Sequence, residues 1–169
     1  MSLQIEPQVV FDWFYQINQI PRESGHEKAI SDFLVRFAKE RDLEVEQDDC
    51  WNVIIRKPAS SGYEEAEPVI IQGHMDMVCV KTEDSLHDFS KDPIEMLVEG
   101  NILRAKGTTL GGDDGIAVAM QLALLDGDYQ HPALEILITT NEETTMAGAA
   151  AIQAGQLQGT RLLNIDGEE

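Results

Sequence analysis

The sequence predicts an α/β fold in which a mixed, mostly parallel sheet is flanked by helices. Two early segments carry apolar residues at helical spacing, and three later segments are short apolar runs typical of buried strands. Strands and helices then alternate through the second half of the chain, an order typical of a sheet covered by its connecting helices. The 169 residues are close to the length of one domain, so we expect a single compact unit.

Two helices are predicted in the first quarter of the chain. Apolar residues recur at helical spacing over residues 10–20, and Pro21 ends the first helix. Ser24 and Glu27 have the spacing of a capping box, in which the serine oxygen accepts a hydrogen bond from the third helical amide. The second helix therefore follows this box and extends to about Arg41.

Short strands are predicted through the middle of the chain. Residues 53–55 and 69–71 are runs of Val and Ile without polar alternation, which indicates burial on both faces. Residues 96–98 and 102–103 form a hairpin, because a Gly-Asn pair at residues 100–101 is typical of its turn.

The second half of the chain is predicted to be more regular. Residues 116–125 form an alanine-rich helix and residues 134–138 an apolar strand. A second helix of small residues covers residues 147–154, and a last strand covers residues 162–165. This order gives the alternation on which the fold class depends.

Charge and composition exclude several classes of function. With 31 acidic and 12 basic residues, the net charge of −19 repels phosphates and anionic lipids, so we expect neither a nucleic-acid nor a membrane partner. No apolar run approaches the roughly 18 residues that cross a bilayer, and the first residues do not have the pattern of a secretion signal. Cys50 and Cys79 form no disulfide or zinc-binding pattern, so we expect free thiols and a cytoplasmic location.

Ionisable residues follow three of the apolar strands. His74 and Asp76 follow the strand at 69–71, two glutamates follow the strand at 134–138, and Asp166 follows the last strand. Ligands bind beyond the carboxyl ends of the strands in open α/β sheets, so we expect these side chains to converge. Asp113, Asp114, Glu142 and Glu143 complete this acidic group.

So many carboxylates require cations, because crowded like charges raise one another's pKa. One imidazole with several carboxylates suits zinc, manganese or cobalt, and the lack of nearby thiolates argues against a structural zinc site. Two divalent ions would balance three carboxylates and a bridging hydroxide. Each residue alone also has an ordinary structural explanation, as a hydrogen-bonded histidine, as acids at a helix N-terminus or as a turn aspartate.

Four motifs now carry a family resemblance. The chain contains GHMD at residues 73–76, GTTLGGDDG at 107–115, NEE at 141–143 and NID at 164–166. In kind and order they resemble the motifs of the M20 metallopeptidases, and within them the aminoacyl-histidine dipeptidase branch, also called Xaa-His or carnosinase-like dipeptidases. Residues 20–22, 25–27 and 72–106 also resemble that branch.

The resemblance implies a site with two divalent metal ions, with Zn²⁺ preferred over Co²⁺ or Mn²⁺. By this resemblance His74 and Asp166 bind the first ion, Asp113 bridges both ions and Glu143 binds the second. Asp76 orients the imidazole of His74. Glu142 is the general base that takes a proton from a water bridging the ions, and this water attacks the peptide bond.

Two departures from the family pattern bear on what this chain can do. Many M20 members have lysine where this chain has Gly115, and the dipeptidase branch tolerates glycine there. Family members are also much longer, with an inserted lid domain and a late histidine that completes the second metal site. We therefore expect residues 1–169 to be the N-terminal part of the catalytic domain, without the lid domain and the C-terminal part, and inactive alone. His87 and Glu168 are the available substitutes for the missing ligand.

The resulting hypothesis is zinc-dependent hydrolysis of dipeptides, with Xaa-His dipeptides preferred. The partner is a small peptide substrate, and the full-length protein is a candidate homodimer. Another M20 hydrolase (a tripeptidase, carboxypeptidase or deacylase) remains an alternative, as does a catalytically silent metal-binding module. A magnesium-dependent phosphoryl-transfer site is disfavoured by His74 and by the absence of a phosphate-binding glycine loop with lysine.

Overall fold

The computed structural model describes residues 5–167 and has, within them, four helices and seven strands. The helices are α1 (Gln8–Ile17), α2 (Lys28–Lys39), α3 (Gly112–Asp126) and α4 (Ala147–Ala151). The strands are β1 (Glu44–Gln47), β2 (Val53–Lys57), β3 (Val69–His74), β4 (Met96–Glu99), β5 (Ile102–Ala105), β6 (Leu134–Thr139) and β7 (Arg161–Asn164).

Five strands form one sheet in the order β1-β2-β6-β3-β7. Strand β3 pairs in parallel with both β6 and β7, whereas β2 pairs antiparallel with β6 and with β1. The predicted α/β fold with a mixed sheet flanked by helices is therefore confirmed. Strands β4 and β5 form the predicted hairpin, a separate two-stranded sheet.

The main core lies between one face of the sheet and helices α1, α2 and α3. Its fully buried members include Phe14 of α1, Leu34 of α2 and Leu122 of α3, which pack with Ile55 and Ile136 from the sheet. The pattern of apolar residues that predicted the helices is therefore the pattern of their buried faces. Burial of these side chains holds the three helices against the strands.

The opposite face of the sheet has a much smaller apolar cluster. Ile54, Ile70 and Leu137 are buried there, covered by the partly buried Ile152 and Leu157. Contact with this cluster explains why α4 is shorter than the predicted span of residues 147–154. The helix ends at Ala151, and Ile152 has extended backbone angles and packs on the sheet.

The last strand is not the buried element that its apolar sequence indicated. Strand β7 pairs only with β3, so it lies at the edge of the sheet. Leu162 is 56% exposed and Leu163 is 53% exposed. Its parallel direction, which the site requires, is as expected from the alternating element order.

The predicted capping box of α2 is wrong. Helix α2 begins at Lys28 and has no side-chain hydrogen bond at its N-terminus. The chain turns at Gly25, whose φ of 84° directs Ser24 away from the helix. Ser24 Oγ instead donates a hydrogen bond to Asp76 Oδ2 at 2.7 Å, and Glu27 Oε1 accepts one from the Asn141 amide at 2.8 Å.

Within the described residues, 5–167, no helix combines the length and the apolar character needed to cross a bilayer.

Leucine truncation should distinguish the covered centre of the sheet from its open edge. Leu134 in β6 is 3% exposed, so Leu134→Ala should lower the free energy of unfolding by about 3 kcal/mol. Leu163→Ala removes the same atoms from the exposed strand β7 and should cost about 0.5 kcal/mol. Urea denaturation of both variants measures the difference, and equal losses would contradict the described burial.

Candidate metal centre

The sheet topology brings the ionisable residues together at the carboxyl ends of three parallel strands. His74 is the last residue of β3, and Glu142 follows the end of the neighbouring strand β6. Asp166 follows the end of β7 on the other side of β3. Because neighbouring parallel strands end at the same edge of a sheet, these three side chains lie near one another.

The fully buried imidazole of His74 lies at the centre of this group. Its Nε2 atom is 3.1 Å from Asp113 Oδ1 and 3.7 Å from Glu142 Oε2. Its Nδ1 atom faces Asp76 Oδ1 at 3.3 Å, within the distance of an ion pair but without hydrogen-bond alignment. The Nε2 atom is therefore the one that faces the carboxylates of the site.

The carboxylates also set the protonation state of His74. Burial alone lowers the pKa of the imidazole, but the charges of Asp76, Asp114 and Glu142 outweigh it and raise that pKa to about 9. Without a metal ion, His74 is thus protonated at neutral pH. A cation that binds Nε2 must displace that proton.

Asp76 is fully buried and connects the segment between α1 and α2 with the loop after β6. Its oxygens accept hydrogen bonds from the amides of Glu142 at 3.1 Å and Glu143 at 3.2 Å, and from Ser24 Oγ. Burial opposes ionisation, but the adjacent imidazole and these donors outweigh it and lower the pKa of Asp76. An ionised Asp76 is suited to orient His74, the role implied by the family resemblance.

The start of α3 presents two aspartates in different environments. Gly111 has a φ of 67°, and Asp113 and Asp114 have non-helical backbone angles within the first turn. The Asp113 side chain is 58% exposed and faces the site, whereas Asp114 is buried and accepts a hydrogen bond from the His74 amide at 3.1 Å. Burial raises the pKa of Asp114 to about 6. Asp113 is therefore the available ligand, and Asp114 ties α3 to β3.

Two overlapping groups of side chains have the spacing of metal sites. One contains His74, Asp113 and Glu143, and the other contains His74, Glu142 and Asp166. In each group, one ligand atom per residue lies within 4.8 Å of the others. All four predicted ligands and the predicted base thus lie together, although their roles stay predictions. The partition also differs from the expected one, because Glu142 is grouped with Asp166.

The chemistry of this donor set fits divalent metal ions. An imidazole nitrogen with carboxylate oxygens is a common ligand set for zinc and related ions. Burial and the nearby charge of Asp113 raise the pKa of Glu143, as expected for crowded carboxylates that have no cation between them. The residues present therefore fit the group that the sequence motifs imply.

The two suggested substitutes for a missing ligand are not part of this group. His87 packs edge to face on Phe89, with ring centroids 4.5 Å apart, and lines a separate cavity of about 750 Å³. Within the described part of the chain it joins neither of the two ligand groups. Glu168 lies outside the described residues.

No family model matches this chain. It is 45% identical over 167 residues to the cytosol non-specific dipeptidase of Escherichia coli (strain K12), an alignment that covers 98% of this chain and 34% of that protein. The crystal structure of aminoacylhistidine dipeptidase from Vibrio alginolyticus superposes with a TM-score of 0.95 at 42% identity, over 98% of this chain and 34% of that one.

Both of these matches are dipeptidases, and they agree with the M20 motifs found in this chain. The family resemblance identified from the four motifs is thus confirmed. A tripeptidase from Staphylococcus aureus shares the fold, with a TM-score of 0.79 at 21% identity over 99% of this chain and 45% of that one. The chain spans about a third of the length of the two dipeptidases it matches.

Sequence reasoning missed the contacts made by the linker between α1 and α2, residues 18–27. Arg22 and Ser24 of this linker contact the loop that carries His74 and Asp76. The available signal was the family resemblance of residues 20–22 and 25–27. That resemblance specifies no contact, and the spacing of Ser24 and Glu27 also matches a helix cap.

Gly73, next to His74, is needed for close packing between β3 and α3. A Cβ atom at this position would lie 2.6 Å from Asp114 Oδ2 and 3.1 Å from Ala117 Cβ. Gly73→Ala should therefore lower the free energy of unfolding by about 2 kcal/mol and weaken zinc binding through displacement of His74. Gly112→Ala is the matched control, because its Cβ would meet nothing within 4 Å. Urea denaturation and zinc titration measure both effects, and equal behaviour of the two variants would contradict this account.

Proposed function

We propose that this chain is the N-terminal part of the catalytic domain of a zinc-dependent dipeptidase. The supporting observation is the convergence of His74 with two sets of carboxylates at one sheet edge, in a chain 45% identical to a dipeptidase. Further sequence would supply the lid domain and the rest of the catalytic domain, in keeping with the relatives' greater length.

The proposed ligand roles follow the family motifs. His74, Asp113 and Asp166 would hold the first divalent ion, and Glu143 would hold a second ion that shares Asp113. Bound ions of this kind polarise the scissile carbonyl and lower the pKa of a water molecule. Zn²⁺ is the proposed occupant, and Co²⁺ or Mn²⁺ suit the same donors.

Glu142 is the proposed general base. Its carboxylate has an exposed fraction of 27% and lies beside His74 Nε2, so it can reach both solvent and the site. It takes a proton from the attacking water and delivers it to the departing amine. Asp76 supports this step through its hydrogen bond to the Glu142 amide and its contact with His74.

The proposed substrates are small peptides, with a preference for dipeptides ending in histidine. The two relatives are named for different ranges, one as a non-specific and one as an aminoacylhistidine dipeptidase. A cytoplasmic location is proposed from the name of the Escherichia coli relative, and a homodimer of the complete protein remains a proposal. The net charge of −19 disfavours nucleic-acid and membrane partners.

Two substitutions test whether Glu142 is the base and Asp113 the bridging ligand. Glu142→Ala in the complete enzyme should keep the zinc content and lower kcat by at least about 10²-fold, because only proton transfer is lost. Asp113→Ala should lose zinc, because it removes a ligand shared by both ions. Metal analysis and a dipeptide assay measure these outcomes. Equal zinc loss in both variants would assign Glu142 as a ligand instead.

Ligand counting gives an expectation for the 169-residue chain itself. Among residues 5–167, the proposed second ion has only Asp113 and Glu143, two fewer than the four ligands usual for zinc. The chain should therefore bind at most one zinc ion tightly. It should hydrolyse dipeptides negligibly, because the contacts that orient the substrate are also incomplete.

Equilibrium dialysis with metal analysis measures the number of ions bound. An assay with one dipeptide that ends in histidine and one that does not measures turnover. Two tightly bound ions, or turnover near that of a complete enzyme, would mean that another residue or a neighbouring chain supplies the missing ligand.

A further inference from the structure

The linker between α1 and α2 contacts three separate loops of the metal centre. These are the β3 loop (residues 74–76), the α3 turn (residues 111–114) and the β6 loop (residues 141–143). These contacts come from three polar side chains of the linker: Arg22 contacts the β3 loop and the α3 turn, Ser24 the β3 loop, and Glu27 the β6 loop.

Arg22 joins the β3 loop to the α3 turn. It is 2% exposed, and its Nη1 atom donates hydrogen bonds to the carbonyls of Met75 at 3.1 Å and Asp76 at 3.2 Å. Its Nη2 atom donates to the carbonyl of Gly111 at 2.6 Å. One rigid guanidinium therefore sets the distance between the segment carrying His74 and the segment carrying Asp113.

The α3 turn is shaped to accommodate this guanidinium. A Cβ atom at Gly115 would lie 2.6 Å from Arg22 Nη2 and 3.1 Å from the ring of Phe14. Glycine at residue 115 thus leaves the space that Arg22 occupies. Burying a cation is costly unless it is paired or well bonded, and here the acidic site lies beside it. Burial lowers the pKa of Arg22 to about 10, so the side chain remains charged at neutral pH.

Ser24 forms a hydrogen bond with the β3 loop, and Glu27 forms one with the β6 loop. Ser24 Oγ donates to Asp76 Oδ2, the oxygen that also accepts the Glu143 amide. Glu27 is 1% exposed, and its carboxylate accepts the amide of Asn141, the residue before the proposed base. The φ of 57° at Asn141 is uncommon for a residue other than glycine, so the Glu27 bond holds a turn that is not favoured by itself.

We propose that Arg22, Ser24 and Glu27 are positioning residues that fix the three loops relative to one another, so that the ligands are in place before metal binds. The inference rests on the metal centre of the proposed function. If these side chains had a purely structural role, their loss would lower the stability of the fold without a specific effect on zinc affinity. Positioning instead links these side chains to metal affinity, because support of the ligands is what they provide.

The test compares Arg22→Lys, Ser24→Ala and Glu27→Met with Arg56→Lys in the 169-residue chain. Arg56 is the matched control, because it pairs with the buried Glu135 near the opposite end of β6. Zinc affinity is measured by competition with a chelating dye, and stability by urea denaturation. Each linker variant should bind zinc about 10-fold more weakly, whereas Arg56→Lys should lose stability without loss of affinity.

A double-mutant cycle isolates the path through Asp76. If Ser24 acts through that carboxylate, Ser24→Ala should weaken zinc binding in the wild-type background and have no further effect in an Asp76→Asn background. This cycle keeps the proposal testable if Arg22→Lys or Glu27→Met does not fold. Additive effects of the two substitutions would overturn the assigned role of Ser24.

The remaining outcomes separate this inference from the proposed function. A wild-type chain that binds zinc, with folded linker variants of unchanged affinity, would overturn the positioning role alone. If Arg56→Lys loses zinc affinity equally, the linker contacts only stabilise the fold in general. That result would also overturn the positioning role. A wild-type chain that binds no metal would overturn the metal centre and this inference together.

Discussion

The buried carboxylate of Asp76 is the constraint around which the site is organised. It has no solvent exposure, and it receives the amides of Glu142 and Glu143, the hydroxyl of Ser24 and the imidazole edge of His74. A buried carboxylate is tolerated only when such donors surround it. The contacts that stabilise the buried carboxylate of Asp76 therefore also fix the positions of the imidazole and of the loop after β6.

Negative charge is the second constraint on this edge of the sheet. His74 and Arg22 place positive charge beside the acids. The pKa values of Asp114 and Glu143 are nevertheless raised, chiefly by burial and also by neighbouring charges. This crowding of negative charge favours cation binding where the carboxylates of Asp113 and its neighbours face Nε2 of His74. The same field keeps the imidazole protonated when metal is absent, which couples metal binding to proton release.

The packing of the sheet is strongly asymmetric. Helices α1, α2 and α3 cover one face and give the chain its main core, whereas the other face has only a small cluster around Leu137. Strand β7 is an exposed edge strand, yet it carries the segment that ends in Asp166. One proposed ligand thus depends on the least covered strand, while His74 lies on a strand paired on both sides.

The helices and strands, their order and the ionisable residues at one edge of the sheet could be predicted from the sequence, because apolar periodicity and short motifs are local properties. Hydrophobic runs located β3 and β6, and the residues after them were correctly assigned to one edge. The exposure of Leu162 and the hydrogen-bond partner of Ser24, in contrast, depend on the tertiary structure. An edge strand and a central strand can have the same apolar sequence, since burial depends on which neighbours pair with them. The spacing of Ser24 and Glu27 is equally compatible with a helix cap or with contacts to distant loops, and only the fold brought Asp76 and Asn141 within their reach.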